Sequence, residues 1–227
     1  MKRSPGLTCV NGLAEMKLAI VIPAFNEAGR IEATVRSAKP YGTPLVIDDG
    51  STDNTADLAK AAGADVIRLS PNQGYDQALN AGFKAAAERD FDCVITFDAD
   101  GQHPEQALTR VHLHLKTGCE LVVGKRHKKA RWSEKLFGLY TRVRFGVSDP
   151  LCGMKGYQLA LFNRYKVFDS YGSTGTELML RGLKAGSPMA EVEIRVHERE
   201  DQPRFGSFIK ANVKIVRSMV RSLIYIR

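Results

Sequence analysis

Three features of the sequence predict an α/β fold with a doubly wound, mostly parallel sheet flanked by helices. Short apolar runs that suit buried strands alternate with helical patterns four times in about 110 residues. The runs are stopped by proline, glycine or aspartate, as strands buried on both faces are. Finally, Asn26-Glu27, Asp48-Asp49 and Asp98 with Asp100 all fall at strand carboxyl ends. In such sheets that rim is where ligands sit.

Lys17 to Pro23 is the first strand, and a helical pattern follows from Glu27, with Ile31, Val35 and Ala38 three and four apart until Pro40. Leu45-Val46-Ile47 is the second strand. Ser51 or Thr52 caps a helix over 53–62 that stops at Gly63. Ala64–Leu69 reads as a strand, alanine-rich Tyr75–Glu88 as a helix and Asp92–Phe97 as a strand. Pro104 opens a helix to about Lys116, and Leu121–Gly124 is the fifth strand. Beyond it the alternation breaks. Residues 125–150 read as basic and irregular, followed by a strand or loop over Gly153–Tyr157, a helix over Thr176–Ala185 and a strand over Ala190–Val196. Residues 1–15 read as a flexible extension, with Met16 as a possible start. Residues 16–227 form one domain: a nucleotide-binding half over 16–124, an acceptor-side half over 125–207 and a basic amphipathic helix over 208–227.

Composition narrows the function classes. With 44% apolar and 26% charged residues, the 227-residue chain can build an ordinary core. No apolar run reaches the ~18–20 residues that span a bilayer. Cys9, Cys93, Cys119 and Cys152 lie far apart, which suits reduced thiols rather than a zinc site or a disulfide framework. The net charge of +8 is local: Lys125–Arg144 carries eight basic residues against Glu134 alone, and 202–227 carries six with no acid. The remainder of the chain is therefore acidic, and the basic stretches call for an anionic partner such as phosphate, an anionic membrane or nucleic acid.

Asp98-Ala99-Asp100 ends a strand, and residues i and i+2 of extended chain point the same way. Two carboxylates, with Gln102 two residues further on, could therefore face one Mg²⁺ or Mn²⁺. Taken alone, the pattern equally suits loop capping. Asp48-Asp49 could accept hydrogen bonds from a nucleobase or ribose, or serve the helix cap. Pro23-Ala24-Phe25-Asn26-Glu27 could flank a base or sugar, or simply turn strand into helix. His103, before Pro104, reads as structural. In the tail, Ile209, Val213, Val216, Val220 and Leu223 alternate with a row of Lys210, Lys214, Arg217 and Arg221. This pattern suits either a membrane surface or a helix docked on the domain with a solvated basic face. Trp132 either packs or dips into a membrane interface.

Taken together, Ile-Pro-Ala-Phe-Asn-Glu (22–27), Val-Ile-Asp-Asp-Gly-Ser-Thr-Asp-Asn-Thr (46–55), Asn72-Gln73-Gly74 and Phe-Asp-Ala-Asp-Gly-Gln-His-Pro (97–104) resemble the family 2 glycosyltransferases of the GT-A fold. The Gln102-His103-Pro104 continuation is similar to the dolichyl-phosphate mannosyltransferase-like branch. The resemblance spans about residues 17–210 and implies roles residue by residue. Pro23, Ala24, Phe25, Glu27, Asp48, Asp49, Asp98 and Ala99 would line the nucleotide. Asp98, Asp100 and Gln102 would hold Mg²⁺ or Mn²⁺ on the donor diphosphate. Arg126, Lys155, Arg199 and Arg204 would face donor or acceptor phosphate. Asp100, Arg126, Asp149 and Glu177 would be the catalytic set. The chain departs from the branch at Cys152-Gly153-Met154-Lys155, where relatives often carry Ser-Gly-Phe-Arg, and at Pro203-Arg204, where they carry Ser-Lys; these departures leave the acceptor open.

The implied reaction is displacement with inversion, in which a nucleotide-sugar donor (a GDP- or UDP-sugar) leaves as the nucleoside diphosphate. Charge on the leaving oxygens is stabilised by a divalent cation and arginines. A polyprenyl-phosphate acceptor at the cytoplasmic membrane face needs no base. A saccharide hydroxyl, as in surface polysaccharide assembly, needs one, and Glu177 or Asp149 would serve; Glu177 could instead pair with Arg181 one turn on. A sugar-nucleotide nucleotidyltransferase would carry a Gly- and Lys/Arg-rich loop after the first strand, where this chain has Pro-Ala-Phe-Asn-Glu. A nucleic-acid module is disfavoured because the acidic rim would repel phosphates.

Overall fold

The computed structural model of the chain describes residues 16–100, 104–127, 131–195 and 208–226. The readings of residues 1–15, Gln102, His103, Arg199 and Arg204 lie outside that set. The elements run β1 (Leu18–Ala24), α1 (Ile31–Ala38), β2 (Thr43–Asp48), α2 (Thr55–Ala61), β3 (Asp65–Arg68), α3 (Tyr75–Glu88), β4 (Cys93–Thr96), α4 (Gln106–Lys116), β5 (Leu121–Arg126), α5 (Trp132–Phe145), β6 (Lys155–Gln158), α6 (Leu159–Tyr165), α7 (Glu177–Lys184), β7 (Met189–Ile194) and α8 (Phe208–Tyr225).

The seven strands form one sheet in the order β3-β2-β1-β4-β6-β5-β7. The chain starts in the middle, winds outward through β2 and β3, and returns to β4 on the other side of β1, all in parallel. β6 alone runs against its neighbours β4 and β5, while β5 and β7 are parallel to each other. The expected α/β, mostly parallel sheet is what forms, and the reversal of strand order beside β1 opens the crevice where ligands bind in such sheets.

β1 can be apolar throughout because both of its faces are covered. Ile20 and Ile22 pack with α1 and α4 residues such as Ile31 and Val111. Val21 and Ala19 pack on the other face with Leu79 and Phe83 of α3 and with Phe137, Tyr157 and Phe168. α3 seats closely because Gly82 lies against the side chain of Val21, where a Cβ would overlap it. Fully buried aliphatic side chains such as Val21 and Ile22 each stabilise the fold by about 1.5–3 kcal/mol.

Two expectations are corrected. Neither Ser51 nor Thr52 caps α2, which starts at Thr55 after Asn54, because both are bonded to Asn26 instead. Residues 125–150 are not irregular throughout, because Trp132–Phe145 is a fourteen-residue helix closed by Gly146 in the left-handed region at φ 78°. Its periodicity is inverted. Ser133, Glu134, Gly138 and Thr141 face inward with Phe137, while Trp132, Leu136, Leu139 and Val143 face outward. α6 was also unforeseen; it is a seven-residue helix that follows β6 directly. α8 forms as expected and docks on the domain through Ala211, Asn212, Ile215, Ser218 and Ser222. It packs beside α5, where Ser133 Oγ donates to Asn212 Oδ1 at 2.6 Å.

Candidate active site

The rim is built by two loops that lock together. After β1, Asn26 takes a left-handed conformation (φ 53°), which asparagine tolerates better than most residues. Its N–H donates to Ser51 Oγ at 2.9 Å, and its Oδ1 accepts the Thr52 N–H at 2.9 Å. The Glu27 N–H donates to Thr55 Oγ1 at 2.8 Å. The small polar residues of both motifs thus frame the crevice between β1 and β2. Pro23 and Ala24 lie in β1 beneath it, Phe25 is 42% exposed on its lip and Glu27 is buried. Asp48 is fully buried; its Oδ1 accepts the Ser51 N–H at 3.1 Å and its Oδ2 meets Arg68 Nε at 3.1 Å. Arg68 also reaches the Ser51 carbonyl at 2.8 Å.

The next link joins β2 to β4. Asp49 is 4% exposed, and its two oxygens accept the Gln73 and Gly74 N–H groups, each at 2.7 Å. The neighbouring Tyr75 turns its hydroxyl onto Asp98 Oδ1 at 3.1 Å. Burial first, and then the Asp98 charge, holds the Tyr75 phenol well above its usual pKa. Residues 73–75 therefore bridge Asp49 to Asp98 and bring the tips of β2 and β4 to one place. Tyr75 was not anticipated from the sequence; the available signal was an aromatic residue at a helix start directly after Asn72-Gln73-Gly74.

Asp98 and Asp100 are both half-buried, while Ala99 between them is 4% exposed and packs in the core. β4 ends at Thr96 and the chain turns at Ala99-Asp100, so the extended strand end expected for the pair does not form. Thr34 Oγ1 ties the turn to α1 through the Ala99 carbonyl at 3.2 Å. Gly153 lies so close that a Cβ there would overlap the Asp98 carboxylate. Among the described residues no three His, Cys, Asp or Glu side chains form a ready-made metal cluster. The all-oxygen pair of Asp98 and Asp100 nevertheless fits Mg²⁺ or Mn²⁺, which take few protein ligands and complete their shell from substrate phosphate and water.

Cations lie beside the acidic pair. Lys155, at the start of β6, is 4% exposed; burial lowers its pKa, opposed by the charges of Asp149 and Asp98. Thr96 Oγ1 pins this strand start, donating to the Gly153 carbonyl at 2.6 Å and accepting the Lys155 N–H at 3.0 Å. Arg126 holds the 1%-exposed Asp149 in a bidentate pair, Nε on Oδ2 at 2.8 Å and Nη2 on Oδ1 at 2.9 Å, and reaches Glu134 at 3.2 Å. Burial pushes the neighbouring Cys152 thiol up to about 12, so it is inert.

Glu177 is fully buried at the start of α7. It accepts the Ser170 N–H at 2.5 Å and pairs with Arg181 at 2.7 Å, the helical partner anticipated for it. As a base, either Glu177 or Asp149 would have to give up these partners. Nearby, burial and then the Asp169 carboxylate raise Asp76 to about 6, partly opposed by Lys214 and Lys155. A raised carboxyl pKa favours the protonated fold, so this contribution is complete below about pH 4 and is lost as pH rises through 6. Asp76→Asn is accordingly expected to be more stable than the parent by on the order of 2 kcal/mol at pH 8, with the gap closing toward pH 4. Urea unfolding at the two pH values checks this.

With this geometry in place, the sequence family described as Glycosyl transferase family 2 matches residues 19–172. The chain belongs to that family. An undecaprenyl-phosphate mannosyltransferase of Micrococcus luteus is 30% identical to this glycosyltransferase over 82% of the chain and 85% of its own length. A polyprenol monophosphomannose synthase of Mycolicibacterium smegmatis is 29% identical over 80% and 77%. These relatives bear out the dolichyl-phosphate mannosyltransferase-like branch. The fold matches the glucosyl-3-phosphoglycerate synthase of Mycobacterium tuberculosis, solved with Mn²⁺, UDP and phosphoglyceric acid. The TM-score is 0.73 at 22% identity, over 96% of the chain and 84% of that protein. This likeness bears out the GT-A architecture, and family membership sets the nucleotidyltransferase alternative aside.

Proposed function

We propose that this glycosyltransferase carries a sugar from a GDP- or UDP-sugar to a polyprenyl phosphate at the cytoplasmic face of a membrane, with inversion at the anomeric carbon. An acceptor phosphate oxygen attacks the anomeric carbon, a new C–O bond forms, and the electron pair of the broken bond leaves on the nucleoside diphosphate. No proton moves, so no base is required. This suits a site in which both candidate bases, Asp149 and Glu177, already hold arginines. Mg²⁺ or Mn²⁺ held by Asp98 and Asp100, with Gln102, would neutralise the leaving diphosphate. Lys155 would stabilise phosphate charge there, as would Arg199 and Arg204, to which the resemblance assigns the same role. Pro23, Ala24, Phe25, Glu27 and Ala99, with the frame set by Asp48 and Asp49, form the nucleoside side.

The observation that carries a lipid over a saccharide acceptor is the outward apolar face of α5, the helix that follows Arg126 at the end of β5. Leu139 is 60% and Val143 81% exposed, and Val213, Val220 and Ile224 of the adjacent α8 are exposed as well. Such a face with basic flanks suits a membrane interface. Among the described residues no helix is long and apolar enough to cross the bilayer, so the attachment proposed is peripheral. The test is calorimetric binding of GDP and UDP with and without Mn²⁺, followed by transfer to a short polyprenyl phosphate and to free saccharides. Metal-dependent binding of one nucleotide and transfer to the polyprenyl phosphate are expected. Transfer to saccharide alone overturns the proposal.

A further inference from the structure

A basic cavity adjoins the site through Arg126. It has a volume of about 570 Å³ and opens between α5, the end of β5 and β7, lined by Lys125, His127, Lys135 and Arg142. Its acidic wall is already engaged, since Glu191 accepts the Ser148 N–H and hydroxyl, each at 2.7 Å. Arg126 also borders the cavity, but its guanidinium is committed to Asp149 and Glu134. Lys125 makes only a loose pair with Glu193, at 3.5 Å. Lys135 and Arg142 are exposed and, among the described residues, form no ion pair. Lys135 and Arg142 thus outnumber Glu191, the one carboxylate lining the cavity, and this local surplus of positive charge calls for an anion.

The position of the cavity indicates which anion. Lys135 and Arg142 are seven residues apart, two helical turns, so they sit on one side of α5 about 10 Å apart along its axis. The adjoining stripe of the same helix is Trp132, Leu136, Leu139 and Val143, all exposed. When that stripe enters a bilayer, the two basic heads fall at the level of the lipid phosphates, with their stems along the apolar surface. A soluble phosphate or a nucleic acid would leave the stripe in water. We propose that the Lys135 and Arg142 side of this cavity binds the phosphate headgroup of an anionic membrane lipid other than the acceptor. This inference rests on the membrane reading above and deepens it.

Trp132 is the only tryptophan in the sequence, so its fluorescence reports entry of the stripe into lipid. The full chain is titrated with phosphatidylcholine vesicles, with and without phosphatidylglycerol. Tighter binding and a blue shift on the anionic vesicles are expected. Lys135→Ser with Arg142→Ser should weaken anionic-vesicle binding about 30-fold, since each basic side chain at such a surface contributes about a factor of five. Lys39→Ser with Lys60→Ser, an equal loss of charge just after α1 and within α2, should retain the preference. Lys135→Arg with Arg142→Lys should also retain it, which separates charge at the site from misfolding. If Trp132 responds to neither vesicle, the membrane reading itself fails. If Trp132 enters lipid but the serine pair keeps the parental preference for phosphatidylglycerol, only the cavity assignment is overturned. The lipid assignment is likewise overturned if calorimetry shows inorganic phosphate binding that the serine pair loses while its vesicle binding stays unchanged.

Discussion

Asp98→Asn is expected to bring nucleotide binding in Mn²⁺ down to its metal-free level and to lower sugar transfer by about a thousandfold or more. The substitution keeps the side-chain shape and can keep the Tyr75 hydrogen bond, so the loss reads the carboxylate charge rather than the fold. Asp100→Ala should match it. Gly153→Ala should approach the same phenotype by a different route, because the added methyl must displace the Asp98 carboxylate. Calorimetry with UDP and GDP, with and without Mn²⁺, separates the cases, and unfolding curves close to the parental one show that the domain is intact. Parental metal-dependent binding by both Asp98→Asn and Asp100→Ala would remove the metal assignment.

Asp149→Ala should destabilise the domain by about 3–5 kcal/mol, a large share of the stability of an ordinary domain. Asp149 is almost wholly buried, accepts the Arg126 backbone N–H at 3.1 Å and receives both arms of the guanidinium. Removing it strands a charge that, among the described residues, only Glu134 still answers, and Glu134 is itself shared with Arg131 at 3.0 Å. The double substitution Arg126→Met with Asp149→Leu should recover much of the stability, because the isolated charge disappears with its partner. Urea unfolding of the two single variants and the double variant measures the coupling. Additive losses would show that the pair does not act as a unit. Activity should not return with stability if Arg126 also meets phosphate.

The two halves of the molecule differ in how legible they are. In residues 16–124 the strands other than β3 are built on apolar runs and the longer helices carry a stripe of period 3.6, so local pattern and tertiary role largely agree. Even the rim is visible there, because a residue at the end of a parallel strand has one place to go. Past Gly124 the agreement fails. In α5 the inward face carries Ser133, Glu134, Gly138 and Thr141, while the outward face carries Trp132, Leu136, Leu139 and Val143. A reading that equates apolar with buried finds no core-facing stripe and sees only basic residues. The inversion that conceals the helix is the same property on which the proposed lipid contact rests.

The sequence alone determined the alternation of strands and helices, the acidic strand tips and the segregation of positive charge into 125–144 and 202–227, since all of these are set by neighbours in the chain. The tertiary structure decided the rest. It inserted β6 antiparallel between β4 and β5, which carries Gly153 and Lys155 to Asp98 from more than fifty residues away. It joined Arg126 to Asp149, Tyr75 to Asp98 and Gln73-Gly74 to Asp49. Those partners are chosen by sheet order and helix packing, and nothing local to either residue specifies them.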